Sequence, residues 1–518
     1  MTDGQWMRPG PEDHTAPANP AAPPSRIRDR TFAGPQSTDH GTDLSPIAAA
    51  RRVRTPVRIA AAAVVAALAA AVIAVAVERS GSDTPPTTAA ATGAGTTISA
   101  AGPDQDPVAA LLQRRSQALL AGDEAGWLAD IDPNANGLIA REKVRFANLR
   151  QLGLTSYRLV SYSVLAATTG HASVGEVMRL RADLERSQTV SDWTFASDSG
   201  RLLLTAVGPS TYQYAASTAV PNPPWNDVAL RSATADGITI LAPAAGRWNP
   251  ASYLPAARKA AAIVRALWAK RRGVPGFVVF LADRQQFPHW LRPTGSSLPG
   301  AVIGVTTFPR MVEADGRNRF AQPDLKSLNK PVYEPQYLER GAGARIVLDM
   351  TPIHGTREVE QTLAHEMAHA NGPNLIQTEN LDFATANNGP SVVNQPTWAI
   401  EGFARYVEYL DNPSYADQAM RLVRQKRSTY RLPGPFPASK GFYDGDAERG
   451  TFNYDLSSSI FLAADHTGGQ QKAVNLYIAL TNNGEALSDT ETFLNPLLKQ
   501  VGLSPSKVWS AQHTLTGR

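Results

Sequence analysis

The sequence contains no cysteine in its 518 residues. This absence excludes disulfide bonds, thiol nucleophiles, iron–sulfur clusters and thiolate-bound zinc, so any metal site must use histidine and carboxylate ligands. Charged residues are also sparse, at 19% of the chain, and the net charge is only +4. A balance this close to neutral is not typical of a nucleic-acid-binding protein, and we expect no nucleic-acid partner.

One long apolar run stands near the N-terminus, from Ile59 to Val77. As a helix it would be about 28 Å long, close to the roughly 30 Å hydrocarbon thickness of a bilayer, and it has no polar face. Arginines precede it at positions 51, 52, 54 and 58, whereas only Glu78 and Arg79 follow closely. The positive-inside rule therefore predicts a single-pass protein of the cell membrane, with a cytoplasmic N-terminus and extracytoplasmic C-terminal domains.

Composition divides the chain into five predicted parts. Residues 1–55, rich in proline and polar residues, are predicted to be a disordered cytoplasmic tail, 56–78 a transmembrane helix, and 79–104, rich in small residues, a flexible linker. A proline-rich stretch at 220–224 marks the boundary between the globular parts, 105–222 and 223–518.

The first globular part is predicted to be an α+β module. Apolar residues recur at helical spacing from Val108, and alternating stretches at Tyr157–Val164, Val174–Leu184 and Trp193–Val207 predict an antiparallel sheet. The segment LLQRRSQALLAGDEAGWLADIDP resembles the opening of the nuclear-transport-factor-2-like (NTF2-like) cone fold. His171 and the acidic residues of this module are interpreted as surface groups without a function.

The second part alternates strands and a helix before an all-helical remainder. This order predicts a mixed sheet packed against helices, so the whole chain is assigned to the α+β class. The predicted strands are Gly237–Ala242, Phe277–Leu281, Ala301–Val305 and Arg345–Met350, and the predicted helix is Ala256–Lys270.

The segment TREVEQTLAHEMAHAN, residues 356–371, follows the last predicted strand. Val359, Leu363 and Met367 form one apolar stripe of a helix. His365 and His369 are four residues apart, so their rings project from one face and can share a metal ion. With Glu366 between them, this is the H-E-x-x-H motif of zinc peptidases.

A catalytic zinc needs a third protein ligand and an open position. The H-x-x-G-x-x-H continuation is absent because residue 375 is leucine, so the candidates are carboxylates. A second helix is predicted over Pro396–Tyr409, with Glu401 in its first turns and Gly402 beside it. A glycine there lets another backbone or the metal-binding helix approach closely.

HEMAH, followed about thirty residues later by W-x-x-E-G-x-A-x-Y, resembles the gluzincin metallopeptidases, in particular the bacterial peptidase-MA-like family. The resemblance covers about residues 235 to 510. It implies a thermolysin-type zincin fold and one Zn²⁺ per chain, with His365, His369 and Glu401 as ligands and Glu366 as the general base.

The other carboxylates are weaker ligand candidates. Glu379 and Asp382 lie in an Asn- and Gly-rich stretch that would hold a ligand poorly. Glu408 is about 10 Å along the helix from Glu401, so both cannot reach one ion.

One departure from the family matters: the acid four residues after the third ligand is replaced by Arg405. Glu408 and Asp382 are alternative substitutes for that acid.

The predicted reaction is hydrolysis of a peptide or protein substrate by a zinc-activated water, with Glu366 transferring the proton to the departing amine. The segment FNYDLSSSIFLAADHTGG resembles the family's tyrosine-bearing helix, so Tyr454 is the first candidate for oxyanion stabilisation and His466 the second. The alternative function is an inactive envelope binding or scaffold protein that retains a zincin fold.

Overall fold

The structure is a computed structural model. It describes residues 107–165, 170–209, 223–271, 273–291, 302–309, 311–312, 341–372, 396–432, 434–438, 441–443, 446–483 and 491–518. The predicted tail, transmembrane helix and linker, and the candidates Glu379 and Asp382, lie outside these ranges. Within them, every helix is too short or too polar to cross a bilayer.

Three helices and a four-stranded sheet form the first part. The sheet is an antiparallel meander in the order β1-β2-β3-β4. Helix α1 buries its apolar stripe, including Leu111 and Leu119, in a core shared with the sheet. The bounds are α1 Pro107–Ala121, α2 Glu124–Leu128, α3 Asn136–Gln151, β1 Leu154–Leu165, β2 His171–Leu180, β3 Ser187–Asp198 and β4 Arg201–Pro209.

The stretch predicted as one strand over Trp193–Val207 is two strands joined by a tight turn. Ser199 and Gly200 both have positive φ, 50° and 81°. Two such residues reverse the chain between β3 and β4 in the manner of a two-residue hairpin. The single-strand prediction is therefore wrong at this point, because the alternating pattern continues on both sides of the turn.

Several acidic residues of this part are buried, which contradicts their interpretation as surface groups. Arg115 Nη2 lies 2.6 Å from Glu142 Oε2, and Arg145 Nη2 lies 2.8 Å from Glu176 Oε1. A buried carboxylate is tolerated when a cation pairs with it, and these arginines supply the pairing. His171 is exposed, as expected, and its Nδ1 lies 3.1 Å from the Thr194 hydroxyl.

The second sheet is mixed, with strand order β5-β6-β7-β9-β8. The two outer pairs, β5 with β6 and β8 with β9, are antiparallel, while β6, β7 and β9 run parallel. Strand β5, which was not predicted, joins β6 through Asp236 and Gly237, both at positive φ. The strands are β5 Leu230–Ala235, β6 Ile238–Pro243, β7 Phe277–Ala282, β8 Gly304–Thr307 and β9 Arg345–Asp349.

Among the described residues, helices pack against this sheet and follow its last strand in sequence. Helix α6 contacts both α4 and α7, and α7 packs along α9 within one apolar core. The bounds are α4 Leu254–Leu267, α5 Gln286–Leu291, α6 Thr356–Ala370, α7 Thr397–Leu410, α8 Pro413–Lys426, α9 Ala447–Gly468, α10 Gln470–Asn483, α11 Glu491–Gln500 and α12 Pro505–Thr516. The expected α+β class is confirmed.

Buried polar contacts join the residues on the two sides of position 222. The side chain of Asn148 donates to the carbonyl of Trp225 at 3.0 Å and accepts from the amide of Leu230 at 2.8 Å. Arg345 on β9 forms a two-pronged pair with Asp183, at 2.6 and 2.9 Å. The boundary at 222 stays a prediction, but the segments on either side of it are packed together.

Candidate metal centre

Helix α6 carries the H-E-x-x-H motif and packs against strands β8 and β9 of the second sheet. Its apolar stripe, including Val359, Leu363 and Met367, is buried, so the helix is fixed in rotation. His365 and His369 then lie side by side, with ring centroids 4.7 Å apart. The spacing therefore places two imidazoles on one face, as the sequence predicted.

Helix α7 brings Glu401 to the same point. Glu401 Oε2 lies 3.1 Å from His365 Nε2 and 3.4 Å from His369 Nε2. The helix is anchored by buried aromatic residues: Trp398 stacks on Phe436 at 4.2 Å between ring centroids. The carboxylate oxygen therefore faces both imidazole nitrogens.

Gly402 permits a close contact between two helices. Of the two neighbours that the sequence allowed, another backbone or the metal-binding helix, the structure shows the first. A Cβ at this position would lie 2.5 Å from the backbone oxygen of Ser457 on α9. Any side chain would push α7 away from α9, because real Cβ atoms do not approach backbone oxygens this closely. The close neighbour of Gly402 is thus another backbone, that of α9, and not the metal-binding helix.

The three side chains lie close enough together that they could hold a metal ion. One ligand atom from each of His365, His369 and Glu401 lies within 4.8 Å of the others. Ligands at about 2.0–2.2 Å in a tetrahedron lie about 3.3–3.6 Å apart. Of the two separations from Glu401, the 3.4 Å one lies within this range and the 3.1 Å one is slightly shorter. Two imidazoles and one carboxylate are also a donor set that zinc accepts in hydrolytic sites.

Glu366 is held beside this group by the edge strand β8. The Thr306 hydroxyl lies 2.7 Å from Glu366 Oε2 and can donate to it. Gly304 on the same strand leaves room for the carboxylate, since a Cβ there would lie 2.5 Å from Oε1. Burial raises the pKa of Glu366 and outweighs the neighbouring imidazoles, which lower it. This carboxyl is therefore a better proton acceptor than an exposed glutamate.

Glu408 supports the first histidine from behind. Its Oε1 accepts a hydrogen bond of 2.6 Å from the Nδ1–H of His365, on the opposite side of the ring from Glu401. Arg405 in turn contacts the other oxygen of Glu408 at 2.5 Å. Of the two substitutes that the sequence left open for the missing acid, Glu408 is in place, and Asp382 lies outside the described residues.

Opposite charges set the pKa values of these groups. Burial would raise the pKa of Glu401, but His369 and His365 outweigh it and hold that pKa well below the usual range. Burial would likewise raise the pKa of Glu408, but Arg405 and His365 lower it overall. Burial would lower the pKa of His365, but Glu401 and Glu408 raise it to about 10.

Two tyrosines lie at this site, and one was missed from the sequence. The Tyr443 hydroxyl donates to Glu401 Oε1 at 2.5 Å. Its segment, GFYDG, lies between helices and has no periodicity or spacing that indicates such a role. The Tyr454 ring lies 5.8 Å from the His365 ring. Burial, with Glu401 nearby, raises the pKa of both phenols, so both keep their protons and can donate.

His466 is not brought to this group. It is exposed and lies three turns beyond Tyr454 on α9, about 18 Å along the helix axis. The two oxyanion candidates from the sequence are therefore placed very differently, and only Tyr454 contacts a histidine of the metal motif.

Comparison with known proteins adds little to this geometry. No family model and no curated protein matches the sequence. The chain is similar to the crystal structure of an M1 zinc metallopeptidase from Deinococcus radiodurans, at 13% identity and a TM-score of 0.28. The match covers 62% of this chain and 58% of that one, so it spans less than two thirds of that peptidase. A similarity at this level carries no argument, and the functional conclusion rests on the site itself.

Proposed function

We propose that this protein is a zinc-dependent metallopeptidase with a gluzincin-type site. The observation that carries the proposal is the convergence of His365, His369 and Glu401, with the buried carboxylate of Glu366 on the same helix beside them. Three ligands leave one position open for water or substrate, which is typical of catalytic rather than structural zinc.

Each residue has a distinct role in the proposed reaction. His365, His369 and Glu401 would hold the ion, which would supply Lewis-acid chemistry toward a water and a peptide carbonyl. Glu366 accepts the proton of the attacking water and passes it to the departing amine. The hydrogen bond from Thr306 keeps the Glu366 carboxylate oriented beside the metal group, that is, beside His365, His369 and Glu401.

Tyr454 and Tyr443 have different roles in the proposed site. Tyr454 keeps its phenolic proton and lies beside His365, so we assign it the hydrogen bond to the oxyanion. The Tyr443 hydroxyl is already committed to Glu401, where it holds one carboxylate oxygen and leaves the other for the ion.

The proposal includes a place in the cell. The apolar run from Ile59 to Val77 anchors the chain in the membrane, and the arginines before it keep the N-terminus in the cytoplasm. The peptidase site then acts on peptides or proteins outside the cytoplasm. The NTF2-like assignment of residues 105–222 and the thermolysin-type assignment of residues 223–518 are part of the same proposal.

Zinc content and one substitution test the function. The full chain, purified in detergent, is expected to hold about one zinc per chain by elemental analysis, and to cleave peptides in a protein digest followed by mass spectrometry. Glu366→Gln keeps the side-chain shape but removes the base, so cleavage should fall roughly 10²-fold to 10⁴-fold while zinc stays bound.

Glu360→Gln, on the same helix but paired with Lys259 away from the metal group, is the matched control and should keep full activity. Undiminished cleavage by Glu366→Gln would refute the mechanism. A parent protein that holds zinc but cleaves no peptide would instead favour the inactive envelope binding or scaffold protein.

A further inference from the structure

We propose that Arg405 is a positioning residue that acts on the metal group through Glu408, in a buried relay that begins at Asp455. The inference rests on the proposed zinc site and deepens it. It assigns a function to the residue that stands where the resemblance predicts an acid, and it names the residues that compensate for that exchange.

The relay is a continuous row of charged contacts. Asp455 Oδ1 accepts from Arg405 Nε at 2.9 Å, and Arg405 Nη1 donates to Glu408 Oε2 at 2.5 Å. Glu408 Oε1 then accepts from the Nδ1–H of His365 at 2.6 Å. The side chains of Arg405, Glu408 and Asp455 are only 17%, 9% and 3% exposed, so solvent screens these contacts little.

The planar guanidinium suits this position because it bonds two acids in different directions. The Nε side faces Asp455 and the Nη1 side faces Glu408. An ammonium is a single point of charge and cannot reproduce this fork. With one oxygen fixed by Arg405, Glu408 presents its other oxygen to His365 and is not free to rotate.

Asp455 links the relay to a second helix. Its Oδ1 also accepts from the Tyr409 hydroxyl at 2.6 Å, so the carboxylate is held by two residues of α7. Asp455 directly follows Tyr454 on α9. The relay therefore fixes α7, which carries Glu401, against α9, which carries the tyrosine of the proposed oxyanion site.

The test compares zinc affinities of charge-balanced variants of the full chain by competition with a chelator. Arg405→Met combined with Asp455→Asn removes one positive and one negative charge, so no extra buried charge is created. This double variant is expected to bind zinc roughly 10-fold to 100-fold more weakly, as is Glu408→Gln alone. The triple variant should bind no more weakly than Glu408→Gln, because Arg405 acts only through Glu408.

Several results would overturn the inference. One is a double variant that binds zinc as tightly as the parent, including the case in which its zinc-free form only melts at a lower temperature. Another is a triple variant whose loss of zinc affinity is the product of the losses in the double variant and in Glu408→Gln. Arg114→Met with Asp130→Asn removes an ion pair of 3.1 Å in the first α+β part, where Arg114 is 55% exposed and Asp130 4% exposed, and should leave zinc affinity unchanged.

A charge-preserving variant covers the case in which the double variant fails to fold. Arg405→Lys is expected to weaken zinc binding about 10-fold, because lysine cannot bond both acids. Parental affinity in that variant contradicts the need for a guanidinium fork. A parent protein that fails to bind zinc refutes the proposed function, whereas a zinc-binding parent with unaffected variants refutes only the role of Arg405.

Discussion

Replacing Gly304 with alanine is predicted to lower turnover without removing the metal. A Cβ at this position would lie 2.5 Å from Oε1 of Glu366, 2.9 Å from its Cδ and 3.0 Å from its Cγ. Ordinary contact requires about 3.4 Å or more, so the glutamate must move by about 1 Å. A misplacement of this size in a catalytic group costs roughly 10²-fold in rate.

The assay separates this effect from misfolding and from loss of zinc. We expect kcat for a cleavable peptide to fall about 10²-fold in Gly304→Ala, with zinc content unchanged, because the three atoms nearest to the added Cβ all belong to Glu366 and not to a proposed ligand. Gly208→Ala is the matched control: Gly208 also lies in a strand, and its Cβ would meet no atom of the described residues within 4 Å. Parental turnover in Gly304→Ala would refute the placement of Glu366 against β8 as the working position of the base.

Three further predictions address the ligands and the topology. Glu401→Ala should weaken zinc binding by more than about 100-fold and Glu408→Ala by only about 10-fold to 100-fold, measured by chelator competition; equal losses would contradict the ligand assignment. Zinc binding at pH 7 should release about one proton, because His365 has a pKa of about 10 without metal and must lose a proton before it can bind the ion. Calorimetry in buffers of different ionisation enthalpy measures the number of protons released. Apparent zinc affinity should accordingly fall as the pH is lowered from 9 to 7, and a pH-independent affinity would refute this assignment. A reporter fused after Arg518 should be active only if it functions outside the cytoplasm, and cytoplasmic activity would reverse the proposed topology.

Local periodicity predicted the two helices that carry the metal group. The stripe of Val359, Leu363 and Met367 predicted α6 to within one residue of its end. The second helix was predicted over Pro396–Tyr409, and α7 spans Thr397–Leu410. Both helices bury one face in the same core, so their sequence period and their rotation agree. The positions of His365 and Glu401 follow from that rotation.

Two hairpin turns of the sheets are less apparent in the sequence than the helices are. Asp236-Gly237 is a strong hairpin signal, yet β5 was missed because its residues, LRSATA, are mostly small and polar. β3 and β4 were merged because the turn at Ser199 and Gly200 carries no proline and interrupts no apolar run. In both cases two residues at positive φ, not the strand pattern, decide the topology.

Local patterns predicted the support around the proposed ligands only in part, since they left both Glu408 and Asp382 open as the supporting acid. The reason is geometric. A ligand must reach one fixed point in space, so its place in a motif is narrowly defined. Its supporting acid only has to approach the far nitrogen of His365, and residues three, four or seven positions apart on a helix share a face. In this chain the acid stands at Glu408 and not four residues after Glu401, which leaves position 405 for the arginine that orients it. Thr306 and Tyr443 reach the site from elements distant in sequence, and no helical or strand period includes them.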